Sequence, residues 1–332
     1  MGAQSSIAYS IVRFIFGMVF LLAGGEYLVR GSVGIAKSLK LSPLLIGAVV
    51  VGFGTSVPEL LTSLLSVVGG KTYAPGIAIG NVIGSNIANI LLIIGLSAAI
   101  RPLSKISVSK LDLISLVVSP AIFALAILML GINKETFVIL SVILIFAMST
   151  YIVLSWKNGK SQEEEEYSLS GLWKDPFFNF AVALIAILIM YFGTRAMISE
   201  ATVIARAWGV SDTVIGLSII AVGTSLPELA ASIIAAIHRE SEISVGNIIG
   251  SNIFNILFIP GITGIAATYV AIRHSKQFPI TFGPNIWLQF TFMMIVTVIF
   301  AILLRKGKIN RLCGSLLFAA YIIYMTVLFY WK

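Results

Sequence analysis

Glu59 and Glu228 each fall near the middle of a long apolar stretch. A carboxylate there costs several kcal/mol unless it is paired or coordinates a cation. The other acidic residues, Glu26 and Glu200 among them, lie in expected loops or towards the ends of apolar stretches, and no Lys or Arg sits mid-stretch beside either glutamate. The simplest partner is therefore a cation taken from solution. Thr55 precedes Glu59 by four residues, as Thr224 precedes Glu228, so each pair shares one helix face. Pro58 and Pro227 lack an N–H, which deprives the carbonyls of Gly54 and Gly223 of their helical donors and lets the backbone bend. Further on, Asn81, Ser85 and Asn89 recur every fourth residue, and so do Asn247, Ser251 and Asn255. Carboxylates, carboxamides, hydroxyls and freed carbonyls are hard oxygen donors of the kind that suits Ca2+, whereas soft transition metals prefer thiolate or imidazole.

The elements that hold these groups are read from composition. Of the 332 residues 58% are hydrophobic and 11% charged, against about 25% charged in soluble domains. That excludes a soluble enzyme, a disordered tail and a disulfide-stapled domain. Hydropathy places ten apolar spans near 10–30, 42–68, 74–100, 112–131, 135–155, 177–198, 211–237, 243–272, 281–304 and 311–331. They are continuous runs of bilayer-crossing length, so the expected fold is an all-α polytopic membrane protein and not a barrel. The single Cys313 makes no disulfide or metal cluster, and His238 and His274 fall in expected loops. No basic residue precedes the first apolar run, which reads as a mature span and not a cleaved signal. A net charge of +8 is ordinary for a membrane protein and does not indicate nucleic-acid binding.

The sequence repeats itself. Residues 42–59, ending Gly-Thr-Ser-Val-Pro-Glu59, recur at 211–228 as a segment ending Gly-Thr-Ser-Leu-Pro-Glu228. Gly80-Asn-Val-Ile-Gly-Ser-Asn-Ile-Ala-Asn89 recurs as Gly246-Asn-Ile-Ile-Gly-Ser-Asn-Ile-Phe-Asn255. Each half has an odd number of spans, so the second copy enters the membrane from the opposite side, as in many secondary transporters. The expected organisation is a five-helix repeat over 1–155, an acidic loop at 156–176 holding Glu163 to Glu166, and a second five-helix repeat over 177–332. Tight helix packing accounts for the repeated glycines and some serines, but not for a repeated glutamate. Interhelical hydrogen bonding accounts for part of the Asn and Ser stripes, with Asn81, Asn86, Asn247 and Asn252 the foremost structural candidates. The loops after the odd-numbered spans carry fourteen of the 22 Lys and Arg residues. That side is expected to be cytoplasmic, with both termini outside.

These motifs resemble the alpha-1 and alpha-2 repeats of the sodium/calcium exchanger family, within the calcium:cation antiporters, most specifically over residues 42–95 and 211–260. The resemblance implies ten helices, an ion site built by the second, third, seventh and eighth, and Glu59 and Glu228 as central Ca2+ and Na+ ligands. It adds Thr55, Thr224, Ser56, Ser225, Ser85 and Ser251, the carbonyls of Gly52 and Ala221, and Asn89 and Asn255 lining the middle. It implies electrogenic Na+/Ca2+ exchange across the cell membrane by alternating access, spans one and six sliding over the core. Cofactor and obligate protein partner are not expected; the partners are the transported ions and the bilayer. Two departures stand out. Asn255 occupies a position where relatives often carry Asp, which favours K+-independent exchange. Arg195 falls at the repeat equivalent of Glu26, where an acidic residue is usual, and a Glu26–Arg195 pair between spans one and six is expected.

The residues leave rivals open. Buried glutamates also suit H+-coupled cation antiport. A channel or a structural membrane protein belongs to another class, and no nucleophile–base pair or cofactor motif supports an enzyme. The acidic loop reads as a solvated charge run before it reads as a Ca2+ sensor.

Overall fold

The computed structural model describes residues 2–68, 75–129, 134–159, 170–209, 221–273 and 286–330. The acidic run Glu163 to Glu166 and the start of the recurring segment 211–228, residues 211–220, lie outside them. Among the described residues every named element is helical, and the one strand-like pairing is an isolated bridge between Leu103 and Ile309. The chain begins with α1 (Gly2–Leu39), followed by α2 (Pro43–Thr55) and α3 (Val57–Val68). Next come α4 (75–100), α5 (Lys110–Met129), α6 (Lys134–Asn158) and α7 (Pro176–Ala207). After the short turn α8 (Ala221–Gly223) follow α9 (Leu226–Ile237), α10 (Ser241–Arg273), α11 (Ile286–Arg305) and α12 (Arg311–Tyr330). Seven helices among the described residues are long and apolar enough to cross a bilayer, and the bent pair α2–α3 brings this to eight. The protein is a multi-pass helical membrane protein.

Several loops meet on one face. The N–H of Ser42 donates to the Gly159 carbonyl at 2.8 Å. Those of Ser104 and Ser107 donate to Ser241 Oγ at 3.2 Å and to Glu242 Oε1 at 2.9 Å. With the Leu103–Ile309 bridge, these bonds join loops that the odd-numbered spans are expected to share.

Two helices outrun their apolar stretches. α1 and α7 extend beyond the expected 10–30 and 177–198 because they pack antiparallel along each other. The register is kept by glycine: Gly17 abuts Gly193, Gly24 abuts Ala186 and Met190, and Gly31 abuts Asn179 and Ala183. A glycine every seventh residue on α1 brings the backbones together, and a Cβ at Gly17 or Gly193 would meet the other's carbonyl oxygen at 2.7 Å. The extension carries Glu200, expected near a span end, into burial, where it pairs with the exposed Arg13 at 2.9 Å.

The centre of the molecule is α10. From Ile243 to Leu257 every residue is buried, so the helix is enclosed around its circumference. It seats against α2 through interleaved glycines. A Cβ on Gly246 or Gly250 would overlap the carbonyls of Leu44 and Ala48, and one on Gly47 or Gly52 would press on those of Ile243 and Asn247. Around this seam lies a large apolar cluster including Ile83, Ile90, Ile249, Ile253 and Phe300, while α1, α7 and α9 share a smaller one around Leu28, Met190 and Ala231. Residues such as Phe16, Phe146, Phe192 and Leu312 point outward, as expected of surface facing lipid.

Replacing Gly250 by Ala should lower the thermal stability of the detergent-solubilised protein by about 1–3 kcal/mol or more, since backbone and not a flexible side chain stands in the way. Ile265→Ala on the outer side of the same helix, 37% exposed, should shift the midpoint far less, and equal losses would mean the seam is not tight.

Candidate functional site

Both repeats break their helix at the same residue. Ser56 (φ −83°, ψ 8°) and Ser225 (φ −89°, ψ 9°) share one non-helical conformation immediately before a fresh helix whose second residue is proline. α2 and α3 meet there at 41°. Upstream, α2 widens to π-helical hydrogen bonding over Gly47–Gly52, and α4 does so over Asn89–Ile94. Such irregular turns expose backbone carbonyls that a regular helix would engage. The breaks place Glu59 and Glu228 in the first turns of α3 and α9, where the partial positive charge of a helix N-terminus stabilises a carboxylate.

The two breaks face each other across the interior. Ser56 Oγ donates to Glu228 Oε1 at 2.9 Å, and Ser225 Oγ donates to Glu59 Oε1 at 3.1 Å, so each glutamate is held by the other repeat's serine. Glu59 is 1% exposed and Glu228 0%. The second oxygen of each, Oε2, has no hydrogen-bond partner. Among the described residues no Lys or Arg forms an ion pair with either glutamate; ion pairs elsewhere include Arg13–Glu200, Arg30–Glu26 and His238–Glu26. The site thus presents two uncompensated carboxylates in an apolar interior.

The remaining polar residues close around this pair. Asn81 Nδ2 donates to the Glu59 carbonyl at 3.2 Å and to Ser63 Oγ at 3.0 Å. Its counterpart Asn247 donates to the Glu228 carbonyl at 3.2 Å and to Ser232 Oγ at 2.8 Å. Asn247 also takes the hydroxyl of Thr55 at 3.1 Å, which ties the two repeats. Ser251 Oγ donates to the Gly52 carbonyl at 3.0 Å. Asn89 donates to Asn252 at 2.9 Å and leaves its own Oδ1 unpaired, while both amide atoms of Asn255 are unpaired at full burial. Thr224 and Ser85 are buried in the same motifs, and Ala221 opens α8 one turn before the second break. Oxygens without partners around the carboxylates are what a hard cation would take up.

Some positions were missed or misassigned. Ser63 and Ser232 repeat at the same offset as the glutamates, four residues beyond them, so the self-similarity held a signal for their part. The Glu26–Arg195 pair does not form. Glu26 instead binds Arg30 Nε at 2.7 Å and His238 Nε2 at 2.8 Å, and Arg195 reaches only the Tyr191 hydroxyl, at 3.5 Å. The reason is the antiparallel register of α1 and α7. With Gly17 opposite Gly193, Arg195 lies beside the early part of α1 and Glu26 is several turns further along. Repeat-equivalent positions lie at opposite ends of such a pair. His238, expected in a loop, closes the end of α9 and binds that helix to α1.

The sequence matches the family described as sodium/calcium exchanger protein over residues 9–157 and 178–330. Among curated relatives, the sodium/calcium exchanger MaX1 of Methanosarcina acetivorans is 30% identical over 98% of this chain and 99% of its own. The inner membrane protein YrbG of Escherichia coli is 32% identical over 96% of this chain and 95% of its own. Among solved structures, the sodium-calcium exchanger NCX_Mj soaked with 2.5 mM Na+ and 0.1 mM Ca2+ superposes with a TM-score of 0.75 at 31% identity, covering 96% of this chain and 98% of that one.

The asparagine network carries its own expectation. Asn247 is fully buried with three side-chain hydrogen bonds and Asn81 is half-buried with two, so Asn247→Ala should destabilise more than Asn81→Ala. Each stranded buried partner costs about 1–3 kcal/mol. Heat-denaturation midpoints in detergent read the order, and a reversed order would contradict this hydrogen-bond assignment.

Proposed function

The chain belongs to the sodium/calcium exchanger family, and from that premise we propose that it is a secondary antiporter exchanging Na+ for Ca2+ at the Glu59–Glu228 pair. The observation that carries the reading is the crossed arrangement, in which each carboxylate spends one oxygen on the opposite serine and keeps the other free. Glu59 and Glu228 act as the charged ligands. Thr55, Thr224, Ser56, Ser225, Ser85 and Ser251, the carbonyls of Gly52 and Ala221, and the amides of Asn89 and Asn255 supply neutral oxygens around them. A serine hydroxyl can donate to the opposite carboxylate and still offer lone pairs to a cation, so the crossed bonds need not break when an ion enters.

Charge balance gives the coupling. Two carboxylates neutralise one Ca2+ or two Na+, and either load makes the site neutral enough to pass through an occluded state. Left empty, the site holds two like charges at low dielectric, which opposes the switch and favours exchange over leak. Movement of any further Na+ makes the cycle electrogenic. Asn255 supplies no carboxylate for an additional cation, which supports K+ independence. The α1–α7 pair carries none of these ligands and packs as one body through its glycine register, so it is the element to slide across the core in alternating access. The reading also has ten spans in two inverted five-helix repeats, 1–155 and 177–332, joined by a cytoplasmic loop, both termini outside and the protein in the cell membrane. It requires no cofactor and no protein partner.

In proteoliposomes an outward Na+ gradient should drive Ca2+ uptake without K+ and without a pH gradient. Glu59→Gln and Glu228→Gln should each cut that flux about 100-fold or more, the loss of a buried charged ligand corresponding to roughly 3 kcal/mol. Uptake driven by a pH gradient and indifferent to Na+ would favour H+ coupling instead. Full flux in both variants would sink the site.

A further inference from the structure

α7 covers the site from one side. Its Ile187 fills the space beside Gly54 and its Ile198 the space beside Gly223, the repeat-equivalent glycines just ahead of the two breaks. Ile187 and Ile198 are about three helical turns apart, so they share one face of α7. Tyr191 and Thr194 lie on that face between them. α1 packs on the adjoining face, through Ala183, Met190, Gly193 and Met197, with Met190 at the edge between the two. Between the covering face and the breaks runs a closed cleft, too narrow in this conformation to admit a water molecule, bordered by Gly54, Thr55, Pro58 and Pro227 and, from α7, by Ile187, Met190 and Tyr191. α7 therefore roofs a space that leads to Thr55, and Thr55 shares a helix face with Glu59.

Thr194 is the anomaly in this roof. It is 2% exposed, and its hydroxyl has no hydrogen-bond partner. Threonines in comparable helices behave otherwise: Thr202, Thr263 and Thr268 donate to the carbonyl four residues earlier at 2.8, 2.7 and 3.1 Å. That bond is available to any helical threonine, whereas a buried hydroxyl left unpaired costs about 1–3 kcal/mol. Buried hydroxyls of Ser32, Ser97, Ser119 and Ser155 are also unpaired, but those serines lie on other helices, whereas Thr194 lies on the face of α7 that covers the breaks, where valine would fill the same volume.

Resting on the reading of Glu59 and Glu228 as the ion site, we propose that Thr194 is a further ion-contacting residue, whose hydroxyl on the covering helix offers an oxygen to Na+ or Ca2+, or to its accompanying water, as the cation moves between the cleft and the carboxylates. A neutral oxygen suits this position. Conduction through a narrow path needs contacts strong enough to replace water and weak enough to release the ion. A charged group on a moving helix would instead compete with the two glutamates. The flanking isoleucines close the apolar ends of the roof; of the two polar residues between them, Tyr191 already accepts from Arg195 at 3.5 Å, which leaves the hydroxyl of Thr194 unengaged.

Thr194→Val, Thr194→Ser and the control Thr202→Val are compared in proteoliposomes and in thermal unfolding. Thr194→Val is expected to be at least as heat-stable as the parent, because an unpaired buried hydroxyl is removed, yet to lose about fivefold in Na+-driven Ca2+ turnover. Thr194→Ser, which restores the hydroxyl, and Thr202→Val are expected to stay near the parent rate. If Thr194→Val does not yield folded protein, Thr194→Ala takes its place in the same assay with the same expectation. A folded variant lacking the hydroxyl that turns over like the parent, alongside an inactive Glu59→Gln, overturns the role of Thr194 alone. Undiminished flux in Glu59→Gln overturns the ion site and the role of Thr194 with it.

Discussion

Two carboxylates in an apolar interior, with no Lys or Arg paired to either among the described residues, set the terms for the rest of this protein. Such groups must be stabilised by hydrogen bonds, helix dipoles or a cation, and the structure supplies the first two in part. Ser56 and Ser225 each satisfy one oxygen of the opposite glutamate, and both glutamates sit in the first turn of a helix that starts at the break. The compensation stops short of complete: Oε2 of each remains unpaired. A site meant only to hold a fold together would be expected to finish the job, because a stranded buried acceptor is costly. The shortfall is what makes a cation the natural third component.

The scaffold holds that pair in place. α10 is enclosed on every side from Ile243 to Leu257 and its glycines lock to those of α2, so the polar stripe of the second repeat is fixed against the break of the first. Asn81 and Asn247 then pin the backbones of the glutamates themselves to neighbouring helices. α1 and α7 are bound mainly to one another, and their charged ties include Arg13 to Glu200 within the pair and Glu26 to His238 towards α9. The core that holds the two glutamates and the α1–α7 pair are thus tied by different means.

Much of this was legible in the sequence because the repeat prints the site twice. Glu59 and Glu228, the threonines four residues before them, the prolines that break the helices and the asparagine stripes were all marked by spacing alone. Ser63 and Ser232 carried the same mark and were passed over, since a serine within an apolar run raises no alarm by itself. Helix ends were less legible. Hydropathy ends a span where polar residues begin, but α1 and α7 continue because each offers the other a surface on which Arg13 and Glu200 meet.

Residue type and period determined that the chain spans a membrane, that it is built as a repeat, and that its two buried acids lie at equivalent positions, since each of these is a property of local composition. Only the tertiary structure decided who touches whom. It crossed the serine–glutamate bonds between repeats, gave Glu26 to Arg30 and His238 instead of Arg195, and left the hydroxyl of Thr194 on the covering helix without a partner. Those outcomes depend on the antiparallel register of helices far apart in the chain. Glycine contacts fix that register to within one residue, and no one-dimensional pattern encodes it.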